Sequence, residues 1–412
     1  MNERAAPTLS GLLAPTSVSE FTERYWERGW LHVAHPARSG YRGLIDLADL
    51  DRLVAFHRHP TIPPFSLAEN GPVRPQAASS GVRDAAEALR ARQTIFVGAL
   101  HERWDPAARL CSALAAELRH PVGATLVVSP AGVQGLQAHF DAADVFVLQL
   151  EGEKVWRIGP PERPLPLPGD PLAADAALSE TASEVRLGAG DLLYVPRGFP
   201  HLAFTETHSH SAHLSIYIET VRWKQAVARA LDLAAERSVE LRRGLPPGAL
   251  ATPDAQTLAQ ELHAHIEAVL DELDPAEVLT RLGGDLIREM PVLPDRDLAG
   301  AVTAPEITPH SEVARRDGAV CVVRETSAQA AIDFPGASVA APAHLAPALR
   351  YVAAHARFTV ADVPGLSDSS KVVLVRRLVK EGLLGVVERR DGERGRDGRP
   401  ADEYDQTREV RV

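Results

Sequence analysis

The chain has 412 residues, 45% of them hydrophobic and 24% charged, with a formal net charge of −11. That length exceeds a single core and predicts two or three domains of an ordinary globular protein, while the acidity excludes a surface that coats nucleic acid throughout. The two cysteines, Cys111 and Cys321, provide neither a disulfide framework nor a zinc cluster, and the opening residues lack a basic segment followed by an apolar one. With no apolar run of about eighteen residues to span a membrane, a cytoplasmic protein is expected.

Residues 1–120 read as helices mixed with short strands. Phe21 and Tyr25 stand at helical spacing, residues 31–33 follow as a strand, and residues 44–56 contain a helix. Leu110, Leu114 and Leu118 stripe another helix over 106–119. From Pro121 to Glu219 the pattern changes to short strands broken by Gly, Pro and Asp, as in a small antiparallel barrel or double-sheet jelly roll. Residues 122–128 form a buried strand, 129–132 a turn and 144–150 a second apolar strand. Residues 151–154 carry a tight hairpin signal, 155–158 the returning strand, and 160–171 a Pro-rich loop near the barrel mouth.

From Val221 to about Gly283 the chain turns helical. Trp223, Val227, Leu231 and Ala234 share one face, Thr252 and Pro253 offer a helix start, and Leu258, Leu262, Ile266, Val269 and Leu273 form a second apolar stripe. Either the stripes pack on the barrel or they form a self-association face. In the last hundred or so residues Leu345, Leu349 and Val352 stripe one helix. Thr359 and Asp362 open a short second helix as a capping box, and residues 367–381 supply a third, closed by Gly382. Residues 383–388 follow as a strand, 389–400 as a charged hairpin, and a last strand lies near Val410. Three helices and a hairpin describe a winged helix. Its basic residues (among them Lys371, Arg376, Arg377 and Arg390) interleave with Glu381, Glu388, Asp391 and Glu393. That is a protein-contact module more than a DNA-binding footprint.

The chemistry concentrates in the barrel. His139 and Asp141, two apart on an extended segment, point to one face. His201, arriving on a neighbouring strand, completes two imidazoles and a carboxylate, which can hold a divalent metal and leave its other side open. Two further His-x-acid triplets occur, but His265–Glu267 lies in a helical pattern and His310–Glu312 in a Pro-flanked loop. By spacing alone Lys154 solvates the hairpin and Arg197 occupies a surface turn. Tyr194 and Phe199 read as barrel core, His208 and His210 as loop residues, and His213 as a residue that can line the barrel.

The stretch Pro130-Ala-Gly-Val-Gln-Gly-Leu-Gln-Ala-His-Phe-Asp141, the segment 144–157 with its Glu-Gly-Glu-Lys154, and Gly190-Asp-Leu-Leu-Tyr-Val-Pro-Arg-Gly-Phe-Pro-His201 together resemble the JmjC-type ribosomal oxygenases. Ser211–Ser215, the helix at 21–26 and residues 358–384 extend the resemblance over most of the chain. It implies a cupin-type double-stranded β-helix within residues 1–220, a helical dimerisation region over 221–300 and a winged helix over 301–412. It further implies iron(II) on His139, Asp141 and His201, with 2-oxoglutarate as cosubstrate gripped at its distal carboxylate by Lys154. Ser215 matches a position where a hydroxyl assists, and the implied substrate is His or Arg of a basic ribosomal protein, which suits an acidic enzyme.

Where the family commonly carries Asn and Tyr, this chain has Thr125 and Val127, both candidates for contact with cosubstrate or substrate. Three readings follow: a protein hydroxylase of the ribosomal oxygenase type, the same chemistry on a small molecule or peptide natural product, and a non-enzymatic cupin with a regulatory winged helix. The intact set of His139, Asp141, His201 and Lys154 favours an enzyme.

Overall fold

The structure, a computed structural model, describes residues 8–34, 41, 43–161, 163–170, 178, 181–249, 251, 255–293, 306–316, 318–326 and 328–387. Among the described residues eleven strands precede the helical region: Leu31–Val33 (β1), Ser66–Ala68 (β2), Arg74–Pro75 (β3), Thr94–Val97 (β4), Val122–Ser129 (β5), Asp144–Gly152 (β6), Lys154–Ile158 (β7), Ser183–Leu187 (β8), Leu192–Val195 (β9), His201–Phe204 (β10) and Ser211–Ile218 (β11). They build an antiparallel sheet in the order β1-β9-β6-β11-β5-β4-β2-β3 and a smaller one in the order β10-β7-β8. This is the double-stranded β-helix expected from the sequence, with β2, β3 and β4 added at one edge.

The strands of the larger sheet read as continuous apolar runs because both faces are covered. Leu126 and Val128 of β5, Phe146 and Leu148 of β6, and Leu214 and Ile216 of β11 join one buried cluster with Leu12, Phe21, Leu53, Leu110 and Leu114 of the N-terminal helices. The alternate residues face inward. There Val147, Leu193 and Val195 of the larger sheet meet Trp156, Ile158 and Leu187 of the smaller one. Period-two alternation thus separates a packing face from a working face on the same strands.

One expectation from the sequence is corrected here. Arg197, read as a surface residue, is only 5% exposed. Its turn folds back on the N-terminal section, where Nε donates to Glu27 Oε1 at 2.7 Å and Nη1 to the Pro166 carbonyl at 3.1 Å. A buried guanidinium needs such an anion beside it. Around the same point the Tyr194 hydroxyl donates to Asp144 Oδ1 at 2.7 Å, and that of Thr220 donates to Asp144 Oδ2 at 2.6 Å. Burial raises the Asp144 carboxyl above the usual range, against the lowering effect of these hydrogen bonds. Tyr194 and Phe199 are barrel core, as expected.

After the barrel come helices Trp223–Arg237, Ala255–Asp271 and Pro275–Glu289. Their apolar stripes do not pack on the barrel: Trp223 is 82% exposed, Val227 67% and Leu262 60%, with Leu231, Ile266 and Leu270 also exposed. Ala234, assigned to the first stripe, is instead buried beside Leu233. The Thr252–Pro253 helix start lies outside the described residues.

The C-terminal unit holds more strand than its sequence suggests. Glu312–Arg315 (β12), Val322–Glu325 (β13), Gln329–Phe334 (β14), Ala337–Pro342 (β15), Arg357–Thr359 (β16) and Leu384–Val386 (β17) form two three-stranded sheets, β16-β12-β17 and β13-β14-β15. The strands β14 and β15 escaped prediction because alanines such as Ala330, Ala331, Ala340 and Ala341 carry little strand propensity. The expected first helix is Ala346–Ala354, and the third is Asp368–Lys380, capped by Ser367. The second is a single 3-10 turn, Val360–Asp362, opened by the anticipated capping box of Thr359 and Asp362. The hairpin at 389–400 and the strand near 410 lie outside the described residues.

Candidate metal centre and cavity

His201 opens β10 and exchanges two backbone hydrogen bonds with His139: the His139 N–H reaches the His201 carbonyl at 3.0 Å, and the His201 N–H the His139 carbonyl at 2.7 Å. The segment bearing His139 is not the regular strand expected. It meets β10 only at isolated bridges, Gln134 with Phe204 and His139 with His201. Between the two bridges four residues on one side face two on the other, an irregularity that interrupts the ladder and re-aims side chains.

The result is a convergent triad. The ligand atoms of His139, Asp141 and His201 all lie within 4.8 Å of one another, and the two imidazole centroids are 4.5 Å apart. His201 Nε2 stands 3.6 Å from Asp141 Oδ2. Each ring turns Nδ1 to a backbone carbonyl, His139 to Gln137 at 2.8 Å and His201 to Phe199 at 3.0 Å. That assigns the proton to Nδ1 and leaves both Nε2 lone pairs facing the centre. Burial pulls His201 down to about 4, reinforced by His139 and opposed by Asp141, so its ring is neutral. Two neutral imidazoles and one carboxylate suit a divalent cation with open positions on its far side.

Other histidine groups lack this character. Glu153, Glu206 and His208 also come together, but Arg186 pairs with both carboxylates there, with Nη2 2.8 Å from Glu206 Oε1. His208 and His210 are exposed, His265 sits in helix Ala255–Asp271, and His310 is exposed.

Beside the triad lies a cavity of about 710 Å³, whose walls include Thr125, Val127, Trp156, His213 and Ser215 as well as all three triad residues. Lys154 points into it at the start of β7 and is 3% exposed, not solvating the hairpin as its spacing suggested. Its ammonium donates to Ser129 Oγ at 2.9 Å, and Ser129 Oγ lies 3.0 Å from Thr94 Oγ1. No described carboxylate pairs with it, and burial alone brings it down to about 7. Trp156, two residues on, stands between the two ends of the cavity, its ring 5.7 Å from that of His201 and 5.7 Å from that of His213. Thr125 and Ser215 are cross-strand partners on β5 and β11.

The structure therefore brings every candidate site residue to one cavity. Sequence reasoning overlooked Trp156, Ser129, Thr94, Tyr217 and Glu219. Trp156 was accessible from period two counted from Lys154, and Tyr217 from the same count along β11 through Ser215. Ser129 and Thr94 had no such signal, because only strand pairing joins them.

Residues 99–226, which carry this triad, match the family model of the JmjC domain. By sequence part of the chain is similar to ribosomal oxygenases. Ribosomal oxygenase 1 of Gallus gallus is 32% identical over 269 residues, which is 59% of this chain and 42% of that protein. The bifunctional lysine-specific demethylase and histidyl-hydroxylase NO66 of Dictyostelium discoideum is 30% identical over 258 residues, 58% of this chain and 49% of that one. The chain thus matches about half, or less, of these relatives' length. In fold, it resembles the Escherichia coli ribosomal oxygenase YcfD, with a TM-score of 0.57 at 20% identity over 90% of this chain and 98% of that one. Another structure of YcfD, in complex with cobalt and 2-oxoglutarate, gives a TM-score of 0.56 at 20% identity, covering 89% and 97%. Among the described residues no helix is long and apolar enough to cross a membrane.

Proposed function

We propose that the chain is an iron(II)- and 2-oxoglutarate-dependent oxygenase that hydroxylates a protein side chain, His or Arg of a ribosomal protein, in the cytoplasm. The observation that carries this reading is Lys154: a buried ammonium without a carboxylate partner among the described residues, facing the same cavity as a two-histidine, one-carboxylate triad. Burying an unpaired cation is costly, so a ligand anion is its natural complement. The bound cobalt and 2-oxoglutarate in YcfD support the same pairing of metal and dicarboxylate.

His139, Asp141 and His201 would hold the metal, and Lys154 the far carboxylate of the cosubstrate, with Ser215 and Thr125 along the wall. When bound, iron(II) and 2-oxoglutarate supply the oxidising power for hydroxylation, with succinate and carbon dioxide as co-products. The protein's own part is placement. The carbonyls of Gln137 and Phe199 fix the two imidazole tautomers. The apolar walls at Val127, Val147 and Trp156 exclude water.

We test this by incubating the protein with iron(II), 2-oxoglutarate and host ribosomal proteins, and mapping peptides by mass spectrometry. A single-oxygen mass gain on one basic peptide is expected. Turnover of 2-oxoglutarate with every ribosomal peptide unchanged would favour the second reading, a small-molecule or peptide natural product, to which Thr125 and Val127 lend support.

The unit boundaries proposed are residues 1–220, 221–300 and 301–412, the last as a winged helix that contacts protein. The exposed stripes from Trp223 and Leu262 onward support a homodimer face in the middle unit. Placing a charge there, as in Leu262→Asp with Ile266→Asp, is expected to halve the mass seen by light scattering. A wild-type protein that is already monomeric would contradict the dimer.

A further inference from the structure

One member of the triad has no support of its own. The carbonyls of Gln137 and Phe199 turn the two imidazoles, but among the described residues no hydrogen bond fixes the Asp141 carboxylate, whose side chain is 40% exposed. Asp141 lies beyond the bridge between His139 and His201, and β6 begins only at Asp144. Residues 140–143 therefore stand outside the ladders. A short side chain without a partner takes its place from the backbone beneath it, so whatever holds residues 141–144 decides where this ligand stands.

Three groups hold that segment. The Gly198 N–H donates to the Asp141 carbonyl at 2.9 Å, and Nη2 of Arg222 donates to the Ala142 carbonyl at 3.2 Å. The third is Asp144, which is fully buried. Its carboxylate accepts from the hydroxyls of Tyr194 and Thr220, and the Arg197 N–H reaches Oδ1 at 3.4 Å. Those donors come from β9, from just beyond β11 and from the turn that leads to His201. The Tyr194 hydroxyl in turn accepts from the Glu27 N–H at 2.9 Å, and Glu27 carries the Arg197 guanidinium. One carboxylate thus joins the segment bearing Asp141 to the turn bearing His201. A buried ionic group is no better for stability than a well-packed apolar one of its size, so its presence calls for a role beyond packing.

We infer that Asp144 is a positioning residue of the metal centre, setting the separation of Asp141 from His201 by tying both of their segments to β9 and the end of β11. The inference rests on the proposed metal centre and adds to it the residue that orders its carboxylate ligand. Asp144 acts through the backbone of residues 141–144 on one side and through Arg197 on the other.

The test measures cobalt(II) binding to the full-length protein by calorimetry, with the visible absorption bands of the bound ion as a second readout. Asp144→Ala leaves three donors without their acceptor. It is expected to weaken cobalt(II) binding by about tenfold or more, as losing a residue that orders a metal ligand does, and to alter the bands. Asp144→Asn, which keeps an acceptor oxygen, should recover most of the affinity. Gly152→Ala, a destabilising change in the same barrel but outside this network, should bind cobalt(II) like wild type in its folded fraction, which separates positioning from stability. The inference is overturned if folded Asp144→Ala shows wild-type affinity and bands, or if Gly152→Ala weakens binding as much. Should the alanine variant not fold, Thr220→Val, which removes one donor and keeps the carboxylate, decides instead: weaker binding supports the inference and wild-type affinity overturns it. A wild-type protein that binds no cobalt(II) defeats the proposed metal centre itself, a different result from binding that Asp144 does not influence.

Discussion

Lys154→Met is expected to raise the KM for 2-oxoglutarate by about 100-fold, measured as succinate formed at saturating iron(II). The length of the side chain is nearly kept, so the cavity wall stays filled while the charge and the hydrogen bond to Ser129 are lost. A charge-assisted hydrogen bond in a buried site contributes about 3 kcal/mol, which corresponds to about that factor. The effect also carries a pH signature. In the empty cavity burial holds Lys154 at about 7, whereas a carboxylate beside it favours the charged form. Above pH 7 binding therefore draws in a proton, and the affinity of the wild-type protein for 2-oxoglutarate falls as pH rises. The methionine variant should lose most of that dependence. An unchanged KM would remove Lys154 from the site.

Gly152→Ala is expected to destabilise the barrel by about 3 kcal/mol, read as the shift in a denaturant titration, through two effects that add. Gly152 sits at φ +64 at the end of β6, just before the turn into β7, a left-handed conformation that costs any residue with a Cβ. A Cβ there would also lie 1.9 Å from the carbonyl oxygen of His210, which is backbone and cannot swing aside. The neighbouring register shift between Ala212 and His213 places this clash at the pairing of β6 with β11. Activity should fall with the folded fraction and no further. Wild-type stability in this variant would mean that the hairpin is held otherwise.

The barrel was legible in the sequence because its strands are long and apolar and its turns are marked by Gly and Pro. Residues such as Val122, Phe146 and Leu214 announced buried strands, and the two-residue spacing of His139 and Asp141 survives even though their segment is not a regular strand. What the sequence concealed depends on contacts between distant residues. Arg197 looked like a turn residue because its partner Glu27 lies far away along the chain. Lys154 looked solvated because nothing local shows that Ser129 and Thr94 close around it. The irregularity between Gln134 and His139 is set by the pairing with β10, which periodicity does not encode. In the C-terminal unit the third helix was visible from Val372, Val375, Leu378 and Val379, whereas the alanine-rich strands β14 and β15 gave no periodic signal.

These losses are of different kinds. A missed edge strand changes little about function, but a buried lysine mistaken for a surface one hides half of a ligand site. The discriminating feature was chemical context: a cation, a triad and an apolar wall on one cavity. Any residue two positions along a strand from a member of such a set belongs on the same list, which is how Trp156 and His213 enter it.

The central claim is that His139, Asp141 and His201 form one metal centre that drives turnover of the cosubstrate. Its most direct test is iron-dependent conversion of 2-oxoglutarate to succinate, compared between the wild-type protein and Asp141→Ala. The triad account predicts turnover that requires added iron(II) and falls to background in the variant, with the fold unchanged by circular dichroism. Equal turnover in the two proteins would contradict it.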